Sequence, residues 1–93
     1  MNNQELFKEK TGMTFEAAFI KLNERLTNYL NKIVFDLESA RDLSIDTFAK
    51  ALDKIDTFNP EKAGFSTWLF TIGRNHTLYQ INLSKRLNIV SFD

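Results

Sequence analysis

The stretch Phe58–Asn75, FNPEKAGFSTWLFTIGRN, places Trp68, Leu69, Phe70, Thr71, Arg74 and Asn75 within eight consecutive positions. Those side-chain types can engage a single-stranded nucleic acid. Bases stack on aromatic and apolar groups, amides read base edges, and cations meet phosphates. Acids are missing from the same part of the chain. From Lys62 to Phe92 there are 31 residues without Asp or Glu, although 12 acids spread over 93 residues would put about four there. At about 100° per residue, Phe65, Trp68, Leu69, Ile72, His76, Tyr79 and Leu83 share one side of a helix. Phe70, Thr71, Arg74, Leu78, Ile81, Asn82 and Lys85 occupy the opposite arc, with Asn75 at its margin beside Trp68. Two outcomes stand equal on pattern alone: a mixed surface for nucleic acid, or a helix between two others that buries both sides.

A second constellation is acidic. Asp42, Asp46 and Asp53 fall together on one helix face, with Leu43 and Lys50 beside them. Most such stripes are solvated faces; the alternative is a docking surface for a basic partner, toward which an outward Leu43 leans. Catalysis has no support. His76 is the one histidine and sits on an apolar side, there is no Cys, and no Ser/His/Asp set or phosphate-binding glycine loop occurs. Neither a metal nor a cofactor is expected.

Three helices are needed to position these groups. Thr14 precedes Phe15, Phe19, Leu22, Leu26, Tyr29, Leu30 and Ile33, whose steps of three and four make one core-facing stripe over 15–34. The spacing predicts a second helix starting near Asp36 or Ser39, with Ser39 and Asp42 spaced like a capping box. Its core side would carry Leu37, Ala40, Ile45, Phe48, Ala51, Leu52 and Ile55. Pro60 and Gly64 mark Thr57–Phe65 as a loop, with Gly64 free to take a positive φ and Ser66 as N-cap of a third helix over 67–86. The fold class is therefore all-α, a compact bundle of three main helices. Residues 1–13 read as a polar N-terminal extension, 14–86 as the domain and 87–93 as the start of a linker.

Bulk properties agree with one small domain. Net charge is zero, but it divides into +1 over residues 1–35, −3 over 36–56 and +2 over 57–93. Twelve aromatic residues, nine of them Phe, can fill a core. The absence of Cys suits a reducing compartment, and no apolar run is long enough for a membrane span.

The string ESARDLSIDTFAKALDKIDTFNPEKAGFSTWLFTIGRN resembles region two of bacterial RNA polymerase sigma factors, closest to the extracytoplasmic-function group. The resemblance rests on Asp42, Leu43 and Phe48, then Phe58, Asn59 and Pro60, then Phe65, Thr67, Trp68, Leu69, Phe70, Ile72, Gly73 and Asn75, within a likeness over roughly residues 15–86. It implies that Asp42, Leu43, Asp46 and Lys50 contact the clamp helices of the largest subunit of core RNA polymerase. It also implies that the third helix and the preceding loop recognise and melt the minus-ten promoter element on the non-template strand. Phe58 to Ala63, including Asn59 and Lys62, would line a pocket for a flipped base; Asn75 would supply amide hydrogen bonds; Arg74, Lys85 and Arg86 would hold phosphates, and Phe70 and Thr71 would share that surface.

The implied protein is a cytoplasmic transcription factor without cofactor or membrane, with an anti-sigma factor as a further partner. Family members usually carry Gln where Ile45 stands, Asp at Tyr79 and Arg at Asn82, so Lys85 and Arg86 are expected to restore positive charge one turn later. A second, minus-thirty-five-binding domain has no counterpart within these residues, and the chain is expected to be an excised fragment of a longer protein, the alternative being a divergent stand-alone protein. The rival readings are a sigma-like module that binds an anti-sigma or other helical protein, and an ordinary duplex DNA binder.

Overall fold

The computed structural model describes residues 1–87, and they form α1 (Asn3–Thr11), α2 (Phe15–Val34), α3 (Leu37–Asp53), a 3-10 turn (Ile55–Thr57) and α4 (Phe65–Leu87). The expected all-α class holds, and the three expected helices are α2, α3 and α4. The linker expected over 87–93 lies outside the described residues, apart from Leu87 at the end of α4.

The polar N-terminal extension, residues 1–13, contains α1. Asn2 and Glu5 form a reciprocal capping box, with the Glu5 amide donating to Asn2 Oδ1 at 2.8 Å and the Asn2 amide donating to Glu5 Oε1 at 3.0 Å. Gly12 ends α1 at φ +79°, a left-handed conformation that glycine adopts without steric cost. Leu6 and Phe7 are the only large apolar residues of this helix, so periodicity could not reveal it. Its anchor is Phe7, which is fully buried with its ring edge-on to Phe15 at 5.5 Å and to Phe65 at 5.0 Å.

Helix α2 is capped by Thr14, whose hydroxyl accepts the Ala17 amide at 3.1 Å, and it ends at Phe35 in a left-handed conformation, φ 55°. Its expected stripe supplies the buried Leu22, Leu26 and Leu30 and the half-buried Phe15, Phe19, Tyr29 and Ile33. These pack with Ala40, Phe48 and Ala51 of α3 and Leu69 of α4. A second cluster joins Phe7 and Ala18 to Ile55 and Phe58.

Helix ends depart from expectation in two places. The Ser39 hydroxyl donates to Asp36 Oδ2 at 2.6 Å, so the pair at the start of α3 is Asp36–Ser39 and not Ser39–Asp42. Helix α4 begins at Phe65, because the Gly64 carbonyl already accepts the Trp68 amide at 3.1 Å. Gly64, not Ser66, is therefore the capping position, and Gly64 does not adopt positive φ.

The buried face of α3 departs from the expected one at its polar positions. Ser44 and Thr47 are fully buried, whereas Ile45 is 54% exposed and Leu37 41% exposed. Thr47 Oγ1 donates to its own helix at the Leu43 carbonyl, 2.6 Å away, and Ser44 Oγ donates to Asn23 Oδ1 at 2.9 Å. Once these hydroxyls are paired they can be buried without an unmet hydrogen bond. The buried line of α4 is likewise Leu69, Gly73 and Thr77, because α4 lies against both α2 and α3. A Cβ on Gly73 would stand 3.1 Å from Leu26 Cδ1 and 3.2 Å from Thr47, so this glycine permits the close approach of all three helices.

Candidate functional site

On α3, Asp42, Asp46 and Asp53 are exposed, as the wheel implied. Leu43 is not outward as expected; it is half-buried and packs against the main core. Ile45, between Asp42 and Asp46, is the exposed apolar side chain there, which a pattern that treats Ser and Thr as surface residues could not show. Asp46 also reaches α4: its Oδ2 lies 3.4 Å from His76 Nε2, and the His76 side chain is 10% exposed. The histidine is thus a packed ring with one acidic neighbour.

Lys50 was expected beside the aspartates. Four residues after Asp46 and three before Asp53 on the same helix, it also lines a groove of about 270 Å³ with Lys54 of α3's C-terminal end and with Ile72, Asn75, His76 and Tyr79 of α4. Tyr79, expected on the core side, is 58% exposed.

On the other flank of α4 a groove of about 390 Å³ is lined by Ser66, Thr67, Phe70, Thr71, Arg74 and Asn75, and by Arg25 and Tyr29 of α2. Phe70 is half-buried, with its ring 5.2 Å from that of Tyr29 at 39° and the Arg25 guanidinium 6.0 Å from its centroid. Arg74, Asn75 and Thr71 are exposed. Two cations, two rings, an amide and four hydroxyls (one of them the phenol of Tyr29) thus meet without a carboxylate. Four of these residues were singled out in the sequence. Arg25 and Tyr29 are not among them, because the sequence pattern gives α2 only a core-facing stripe, on which Tyr29 falls. The available signal was Arg25 and Tyr29 at a spacing of four on the margin of its apolar stripe. Asn75 lines both grooves, so it stands at the ridge between them.

The loop before α4 differs from its expected form. Phe58, expected in a base pocket, is 3% exposed and packs on Trp68 at 4.9 Å and on Phe65 at 5.9 Å. With so much ring area to bury, the hydrophobic effect takes this side chain into the core. Asn59 turns the chain: its side chain accepts the Glu61 amide at 2.9 Å and its carbonyl accepts the Lys62 amide at 3.0 Å. Asn59 and Lys62 are exposed and Ala63 half-buried, and residues 58–63 line neither groove at Asn75. Lys85 and Arg86 are exposed in the last turn of α4; Lys85 borders a third groove, of about 520 Å³, with Ile33, Val34, Leu43 and Ile81.

Among the described residues no group of three or more His, Cys, Asp or Glu could hold a metal, and no helix is long and apolar enough to cross a membrane.

The sigma-70 region 2 family model matches residues 19–86, which include the acidic α3 and the acid-free groove of α4. The chain belongs to the sigma-70 region 2 family, whose members are initiation factors and not enzymes. A similar protein is the RNA polymerase sigma factor YlaC of Bacillus subtilis (strain 168), 36% identical over 64 residues, which are 69% of this chain and 36% of the relative. The chain thus spans about a third of the length of the curated relative it matches. No solved structure matches it. The family match runs from Phe19 inside α2 through α3 to Arg86 near the end of α4 and leaves α1 outside.

Proposed function

We propose that this chain is the region-two domain of a sigma factor, acting in the cytoplasm to bind core RNA polymerase and to open the minus-ten element. The observation that carries this is the acid-free groove between α2 and α4, where Arg25, Tyr29, Phe70, Arg74 and Asn75 converge. Family membership and the sigma-factor relative support the same reading.

Asp42 and Asp46 dock on basic side chains of the polymerase clamp helices, with Ile45 as the apolar contact. On α4, Phe70 and Tyr29 offer rings to unstacked bases of the non-template strand. Thr71 and Asn75 reach base edges, and Arg25, Arg74, Lys85 and Arg86 meet phosphates. Lys50 belongs with Asn75 on the nucleic-acid side, given the groove they share. Asn59, Lys62 and Ala63 form the loop edge of that surface, and Phe58 supports it from the core. Unstacking a base costs a few kcal/mol. Stacking on protein rings returns about 1–3 kcal/mol per base, so a single strand is bound better than duplex and the opening equilibrium shifts. An anti-sigma factor covering either surface would block this action.

The test begins with polymerase. A clamp-helix fragment should bind the chain and lose affinity on Asp46→Arg; unchanged affinity removes the docking assignment. Labelled non-template single strand should bind more tightly than matched duplex and weaken on Asn75→Ala. Equal or stronger duplex binding refutes strand capture.

A further inference from the structure

Helix α1 lies outside the family match, yet one of its side chains grips the chain that leads into the loop. Lys10 Nζ donates to the Ile55 carbonyl at 3.1 Å, the Asp56 carbonyl at 3.0 Å and the Phe58 carbonyl at 2.8 Å. Those carbonyls lie in and just after the 3-10 turn, where the Ile55 carbonyl accepts the Phe58 amide at 3.1 Å as well as Lys10. An ammonium has three protons, and here all three meet backbone oxygens 45 to 48 residues away in sequence. A lysine normally keeps its rotamer freedom at the surface, and holding it in one place makes sense only if it fixes something.

What it fixes is the origin of the loop. Phe58 is held by its carbonyl from Lys10 and by its buried ring, which shares a cluster with Phe7 of the same helix. The next residue, Asn59, begins the turn whose carbonyl accepts the Lys62 and Ala63 amides. The direction in which Asn59–Ala63 leaves the core is therefore set from α1. We propose that Lys10 is a positioning residue for this loop, so that α1 is a brace of the nucleic-acid surface even though it contributes no contact to the strand. The inference rests on the strand-capture reading above, and it adds a control element that the residues of that surface do not contain.

The test uses the full 93-residue chain with Lys10→Met, Lys10→Gln and Lys10→Arg. Hydrogen exchange reads the brace without DNA. The Phe58, Lys62 and Ala63 amides should exchange about tenfold faster in Lys10→Met, while the Leu26 and Leu69 amides keep their protection. Affinity for labelled non-template single strand should fall about five- to tenfold, because a loosened loop must be ordered on binding. Lys10→Arg should restore both, and Lys10→Gln, which keeps a donor without charge, should lie between; it also serves if Lys10→Met does not fold. Loop exchange unchanged in both neutral variants overturns the proposal, as does faster loop exchange with undiminished strand affinity. Failure of the wild-type chain to bind single strand with clamp fragment present sinks the capture reading itself. Wild-type binding matched by the neutral variants sinks only the role of Lys10.

Discussion

Gly73→Ala tests how α4 is seated. In an exposed helix interior the change would stabilise by about 1 kcal/mol, because alanine favours helix over the unfolded chain. Here the new Cβ would lie 3.1 Å from Leu26 Cδ1 and 3.2 Å from both Thr47 Cγ2 and Thr47 Oγ1. Neither neighbour can step aside easily. Leu26 and Thr47 are both fully buried, and the Thr47 hydroxyl is committed to the Leu43 carbonyl at 2.6 Å. Overpacking of this kind costs about 1–3 kcal/mol, which exceeds the helix gain and leaves a net loss of about 1 kcal/mol. For a domain of this size that lowers the melting temperature by about 4–8 °C.

Thr47→Ala removes two of the three close atoms, so in that background Gly73→Ala becomes neutral or stabilising. The two changes are then coupled by about 1–2 kcal/mol. Urea unfolding followed by the fluorescence of the single Trp68, with helix circular dichroism as a second probe, measures all four corners of the cycle. A higher melting temperature for Gly73→Ala with Thr47 intact, or strict additivity, would refute the close-approach account. Because Arg74 and Asn75 follow directly, displacement of α4 should also weaken strand binding in the same variant.

Three further outcomes are expected. Phe35→Gly should stabilise by about 1 kcal/mol in thermal melts, since the ring is 86% exposed while its backbone sits at φ 55°, a conformation glycine takes freely. Phe58→Ala should cost about 3–5 kcal/mol in urea unfolding, as a core truncation does; loss of strand binding with stability unchanged would return Phe58 to the binding surface. Arg25→Ala should leave stability nearly unchanged and reduce the salt dependence of single-strand binding by about 0.7 in log–log slope, the value of one phosphate contact; an unchanged slope removes Arg25 from the groove's function.

The sequence alone determined the three long helices, because Leu22, Leu26 and Leu30 or Ala40, Phe48 and Ala51 recur at the helical period. It also determined the separation of an acidic helix from a carboxylate-free one, since charge order along a chain is not altered by folding. It could not determine α1, where two apolar residues give no period and docking of Phe7 and Lys10 on distant partners supplies the stability.

Tertiary structure alone decided how far the buried face of α3 and α4 extends into polar positions. A helix touching two neighbours buries a broad arc, and in that arc Ser44, Thr47, Gly73 and Thr77 are placed by close approach and, for Thr47, by a hydrogen bond within its helix and, for Ser44, by one to Asn23 of α2, not by hydrophobicity. It also decided that Arg25 and Tyr29 stand across from Phe70. A groove belongs to two helices at once, and no single helix's periodicity records the partner that will form its opposite wall.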